Sequence, residues 1–105
     1  MPAPRITRAF TYQQGEMVYF EIYYSDPGRH AEGFGFVGVN GSDWPQQRYS
    51  FSNPASGIVE PGSVAFPLDQ GCGTGLEYTS DVKAWIYGPG GTRSQSVIIH
   101  LACTT

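Results

Sequence analysis

Segments with strand chemistry alternate with clusters of turn formers roughly every 8 to 12 residues, and this rhythm constrains the fold more than any other feature of the sequence. The strand-like stretches are Arg5 to Tyr12, Met17 to Tyr24, Gly33 to Asn40, Arg48 to Phe51, Ser63 to Leu68, Tyr78 to Tyr87 and Gln95 to Cys103. Between them lie Gln14-Gly15, Asp26-Pro27-Gly28, Asn40-Gly41-Ser42-Asp43, Asn53-Pro54, Pro61-Gly62, Gly71 to Gly75 and Gly88-Pro89-Gly90-Gly91. Those residue types favour turn dihedrals. No segment reads as a helix, and no internal repeat or linker interrupts the pattern. The rhythm is that of a sandwich or barrel, and the reading adopted is an all-β, seven-stranded Greek-key sandwich.

Alternation along each strand assigns its faces. Glu21 marks Met17, Tyr19, Glu21 and Tyr23 as solvent-facing, which leaves Val18, Phe20, Ile22 and Tyr24 for the core. Lys83 likewise marks Asp81, Lys83, Trp85 and Tyr87 as outer, with Tyr78, Val82, Ala84 and Ile86 inside. In the last strand Val97, Ile99, Leu101 and Cys103 point inward and Ile98 and His100 outward. The expected centre of the core is Phe20, Ile22, Val82, Ile86, Val97, Ile99 and Leu101.

The chain has 105 residues, the size of one domain with one core. Met1-Pro2-Ala3-Pro4 has neither the basic start nor the apolar stretch of a secretion signal, so residues 1–105 are expected to be a single domain excised from a larger protein. With 7 Tyr, 6 Phe and 2 Trp there is ample ring surface to fill a core. A net charge of -3 gives no basic footprint for phosphates, so nucleic acid is not an expected partner. No run of about 18 apolar residues exists, and no membrane insertion is expected.

Two cysteines, Cys72 and Cys103, exclude a Cys-only metal site and a C-x-x-C redox motif. A disulfide between them is the natural reading, and by loop entropy it would stabilise the fold by about 3.5 kcal/mol. Such bridges persist in extracellular, cell-surface or periplasmic settings, and this chain is expected in one of them. In a seven-stranded Greek-key sandwich the loop between strands five and six lies at the same end as the finish of strand seven. Cys72 and Cys103 occupy those two places.

Tyr78-Thr79-Ser80-Asp81-Val82-Lys83-Ala84-Trp85-Ile86-Tyr87, the Gly-rich turn after it and Ser94 to Leu101 resemble the last two strands of bacterial immunoglobulin-like and fibronectin type III-like modules. The resemblance implies an immunoglobulin-like sandwich, with Tyr78 as the tyrosine near the start of the sixth strand whose hydroxyl bonds back to nearby backbone. It also implies the usual employment of such modules, as spacers, adhesion units or binding units.

No catalytic motif accompanies His30 or His100, no paired-carboxylate pattern occurs, and an enzyme is not expected. Asp26, Glu32, Asp43 and Asp69 lie in or near turns, but Pro27, Gly28, Arg29 and His30 supply few oxygen ligands and a cation, so neither metal nor cofactor is expected. Gly71-Cys72-Gly73-Thr74-Gly75 lacks the Lys-Ser/Thr of a phosphate loop. Asn40-Gly41-Ser42 matches the glycosylation sequon, yet Asn-Gly is also a strong hairpin-turn signal, the favoured reading.

Two surfaces are candidates for a partner. Trp85, Tyr87, Ile98 and His100 are expected on one outer face, joined by Phe34 or Phe36, either as an exposed apolar patch that binds a partner or covered by a short edge strand, a loop or a neighbouring domain of the parent. Residues 25 to 32, 52 to 62 and 88 to 92 should cluster at one pole, where Arg29 and His30 would contact a partner. The favoured function is a noncatalytic extracytoplasmic module, serving as a spacer, adhesion or protein-interaction domain beside neighbouring domains of its parent. The alternative is a carbohydrate-binding module with Trp85 and Tyr87 as stacking platforms and His100 or Lys83 as hydrogen-bonding groups. The partner is thus a protein or a glycan.

Overall fold

The computed structural model describes residues 3–42, 44–55, 57–69 and 78–103. Its strands are β1 (Arg5–Gln14), β2 (Met17–Ser25), β3 (Gly33–Val39), β4 (Gln47–Ser50), β5 (Ile58–Glu60), β6 (Ser63–Asp69), β7 (Tyr78–Tyr87) and β8 (Val97–Cys103). They form two antiparallel four-stranded sheets, in the orders β1-β2-β6-β5 and β4-β3-β7-β8. The described residues thus hold eight strands rather than the seven expected. The additional one, Ile58–Glu60, is three residues long, too short to display a period of two before the Pro61-Gly62 turn.

The two inner faces meet in a core of aromatic and branched side chains. Phe20 on β2 stands at its centre, with ring centroids 5.4 Å from Phe36, 5.8 Å from Phe66 and 6.1 Å from Phe34. Tyr49 stacks on Phe66 at 4.9 Å, closing the cluster beneath β4. Val18, Ile22, Val82, Ile86, Ile99 and Leu101 are buried around it, as the alternation required, while Val97 is only partly buried against its edge.

The expectation that Phe34 or Phe36 joins an outer patch is corrected. Both are fully buried, and the alternation Gly33-Phe34-Gly35-Phe36 explains why. Gly35 lies directly opposite Trp85 and Gly33 opposite Tyr87. A Cβ at Gly35 would lie 2.6 Å from Trp85 Cζ2, and one at Gly33 would collide with the Tyr87 ring and the Tyr49 carbonyl. Glycine on the outer side of β3 therefore lets the rings of β7 lie down across it, and the phenylalanines take the inner side.

β1 carries an irregularity that its sequence does not announce. Ile6 is opposite Tyr24 and Arg8 opposite Tyr23, so the register slips by one residue at Thr7. A bulge of this kind exchanges the two faces of a strand. Ile6 points into the core, but beyond the bulge Phe10 and Tyr12 point outward. Between the sheets, β1 and β8 are joined through side chains rather than by a ladder. The Gln95 amide donates to the Ile6 carbonyl (2.8 Å) and accepts from the Ile6 amide (3.1 Å), and Thr11 Oγ1 donates to the His100 carbonyl (3.1 Å).

The Asn40-Gly41 turn is present, with both residues at positive φ (56° and 90°) and Ser42 N–H donating to the Val39 carbonyl at 3.1 Å. Asn40 Nδ2 also donates to Asp81 Oδ2 at 3.1 Å. The expected Cys72–Cys103 bridge and the Tyr78 hydroxyl contact fall on side chains outside those described. The backbone of Cys103 pairs with Tyr78 at the end of β8.

A Gly35→Ala substitution places a methyl carbon 2.6 Å from Trp85 Cζ2, well inside van der Waals contact. The expected outcome is a displaced indole, a loss of about 1–3 kcal/mol as for overpacked sites, and a red-shifted tryptophan emission, read by urea unfolding and fluorescence. Unchanged emission and stability would show that the glycine is not needed for the ring's seat.

Candidate functional site

On the outer face of the second sheet Trp85 is covered, whereas Ile98 and His100 are exposed. Trp85 keeps only 4% of its surface. The Arg93 guanidinium lies 4.8 Å from the Trp85 ring centroid, and the Arg48 guanidinium 4.0 Å from that of Tyr87. Each arginine reaches diagonally. Arg48 is opposite Gly35 and Arg93 opposite Tyr87, so the two flank the pair of rings from either side of β7. A pyranose needs a free ring face, and Trp85 offers none, so its expected role as a stacking platform is corrected. The cause is the combination of the glycines under the rings and the arginines over them.

Ile98 and His100 do lie outside, Ile98 with 55% of its surface exposed. His100 is not a free group, because its Nδ1 lies 2.6 Å from Asp81 Oδ1 on the neighbouring strand. Asp81 also accepts from Asn40, so turn and strand are tied together at one carboxylate. The hydrogen bond with His100, followed by that from Asn40, holds the Asp81 carboxyl below its ordinary value.

Three chain segments meet at one end of the sandwich. The Glu32 amide donates to the Tyr87 carbonyl (2.8 Å) and the Phe51 amide to the Glu32 carbonyl (2.8 Å), bringing the segments after β2, β4 and β7 together. Asp26 organises the first of these. Its two carboxylate oxygens accept from the His30 and Ala31 amides at 3.0 and 2.9 Å, which occupies them as turn acceptors. Arg29, at φ 54°, is exposed on this loop, whereas His30 is partly buried with its carbonyl close to Gly88. Asp43 lies outside the described residues.

A second group of aromatic rings lies on the outer face of the β1-β2-β6-β5 sheet. Tyr12 stacks on Tyr19 directly across the strands, with centroids 5.1 Å apart and planes within 7°. Phe10 stacks diagonally on Tyr23 at 6.1 Å and 19°, and Arg8 lies 4.7 Å from the Phe10 centroid. Glu21 sits among these rings. Its hydrogen bond with Tyr23, and then its charge, raise the phenol's pKa. Tyr23 keeps 40% exposure and Ile58, on the edge strand, 57%. The sequence identified the β2 half of this face from Glu21. The β1 half, Phe10 and Tyr12, depends on the bulge at Thr7, for which a single sequence carries no periodic signal.

Stability should follow the Asp81 carboxyl. Because its pKa is lowered in the folded chain, its contribution is present above the ordinary value of 3.8 and is lost as pH falls through the lowered folded value. Asp81→Asn should lower the thermal midpoint near neutrality and flatten the decline of that midpoint on acidification. Parallel midpoint-against-pH curves for the two proteins would show that the carboxylate is not coupled to folding.

Compared with known proteins, the chain matches no family model, and neither a curated protein nor a solved structure matches it.

Proposed function

We propose that this chain is a noncatalytic immunoglobulin-like module of a larger extracytoplasmic protein, serving in spacing, adhesion or assembly. Its packing surface on this reading is the outer face of the β1-β2-β6-β5 sheet. The observation that carries the proposal is the cross-strand stack of Phe10, Tyr12, Tyr19 and Tyr23 on the outer face of this sheet, with Tyr23 exposed and the other three rings half-buried against one another. The immunoglobulin-like reading draws support from the strand orders. With the strands lettered A, B, C, C′, D, E, F and G, they become A-B-E-D and C′-C-F-G, the sheet composition of that fold.

A protein surface suits this face better than a glycan does. The rings stand against one another, so their faces are already occupied and their edges and hydroxyls point outward. Tyrosines presented that way bury area at low entropic cost and bond through the phenol, which is how they act in protein interfaces. The charges fit a second copy of the same chain. Arg8, Tyr23, Ser63 and Glu60 form one row across the sheet, basic at the β1 edge and acidic at the β5 edge. Two such faces related by a two-fold axis parallel to the strands bring Arg8 opposite Glu60 twice. Four strands about 4.8 Å apart and about seven residues long offer only ~450 Å² of flat area, against roughly 800 Å² per partner in a stable complex. The pairing is accordingly weak and serves best where copies are held close together.

Sedimentation velocity over a wide concentration range tests this. The domain should associate reversibly at high concentration, Tyr19→Glu should abolish the association, and Arg8→Glu should weaken it and be rescued by Glu60→Arg. A monomer at every concentration, or association indifferent to these changes, would overturn the second copy as the occupant.

The extracytoplasmic setting rests on Cys72 and Cys103. Without reductant the intact mass should be lower by two hydrogen atoms than in the reduced protein, with the thermal midpoint dropping by many degrees on reduction. Two free thiols in protein prepared under oxidising conditions would remove that support.

A further inference from the structure

A cleft of about 200 Å³ opens on the outer surface of the second sheet, with Trp85 and Tyr87 as its floor, Arg48 and Arg93 on either side, and Gln46 and Thr92 at its rim. We propose that this cleft binds an oxyanion, a carboxylate, sulfate or phosphate group carried on a larger ligand. It is a separate surface from the packing face described above.

The argument begins with what stacking leaves over. A guanidinium on an aromatic ring uses its flat face, while its five N–H donors lie in the plane and radiate past the ring edge. Arg48 and Arg93 are both held this way, at 4.0 and 4.8 Å. Neither makes an ion pair or a side-chain hydrogen bond with any of the described residues. Two cations with oriented donors, and no side-chain acceptor among the described residues, therefore border one cleft. Ring contact also restricts the rotamers of two long side chains, so less entropy is lost when they close on an anion.

The surrounding charge agrees. The whole chain has 6 Lys+Arg against 9 Asp+Glu, yet two of the six border this cleft, and no acidic residue among those described lines it. Glu32 lines a second cleft, which shares Tyr87 with this one. Two guanidinium forks match the oxygens of a carboxylate, sulfate or phosphate and bond them with charge assistance. The volume suits such a group with a short attachment rather than a whole large ligand.

The test is a titration of the intact domain with sodium acetate, sulfate and phosphate in turn, at ionic strength matched with sodium chloride, followed by tryptophan fluorescence and by amide chemical shifts at Gly91 and Thr92. A saturable response to at least one of these anions at millimolar concentration, beyond that of chloride, is expected. The anion that binds tightest separates a planar from a tetrahedral group. Arg48→Gln and Arg93→Gln should each weaken binding several-fold, and the pair together at least tenfold, with unfolding curves confirming that each variant is folded. If the double variant fails to fold, the single variants decide. Lysine at both positions should restore only part of the affinity, because a point charge lacks the fork. A non-saturating response equal to that of chloride, or saturable binding unchanged in folded Arg→Gln variants, would overturn the proposal. Tyr19→Glu should leave the titration unaffected, so the outcome is independent of the packing face.

Discussion

The alternation of glycine and phenylalanine along β3 is the constraint on which both sides of the second sheet depend. On the inner side Phe34 and Phe36 complete the cluster around Phe20 that joins the two sheets. On the outer side the absence of Cβ at Gly33 and Gly35 leaves room for Tyr87 and Trp85 to lie across the strand. Glycine in a strand is entropically costly and packs nothing itself. Here the cost is offset by the ring surface that settles onto it. Because the rings lie flat, they present faces to Arg48 and Arg93, and so one four-residue pattern determines the core, the covered tryptophan and the cationic cleft together.

The first sheet solves a different problem. Its outer face carries Phe10, Tyr12, Tyr19 and Tyr23, and these rings satisfy part of their own surface by stacking across the strands. Such pairs stabilise a sheet by a few tenths to about 1 kcal/mol each. The bulge at Thr7 makes this arrangement possible, since without it Phe10 and Tyr12 would follow Ile6 inward. The opposite sheet buries Trp85 under a cation, while here the rings cover one another, with Arg8 over Phe10 at one edge and Tyr23 left exposed. The two outer faces are therefore chemically unlike.

Closure of the sandwich along the β1 and β8 side relies on polar side chains. Gln95 presents its amide to Ile6 as a strand would, donating and accepting at once, and Thr11 reaches the His100 carbonyl. Ser94, buried just before β8, accepts from the Ile86 amide at 2.9 Å and donates to the Gln95 carbonyl at 2.8 Å, satisfying the backbone where the β7 and β8 ladder begins. These contacts meet the demand that buried backbone groups find partners where the strands do not pair.

The sequence by itself determined the all-β class, the bounds of the long strands and the inward faces of β2, β7 and β8. Those follow from period-two alternation and from turn residues, which act locally and are written residue by residue. It also placed Trp85 and Tyr87 on an outer face and Asn40-Gly41 in a turn. Only the tertiary structure decided that Trp85 is covered, because its cover comes from Arg93 beyond a turn and from a missing Cβ on another strand. The same holds for Phe10 and Tyr12, whose side was reversed by a one-residue register slip that leaves no trace in the local pattern. The short strand β5 is likewise held by its pairing with β6 rather than by its own residues. Exposure, register and the convergence of Arg48 with Arg93 are properties of which strands become neighbours, and strand neighbours are set by packing across the whole chain.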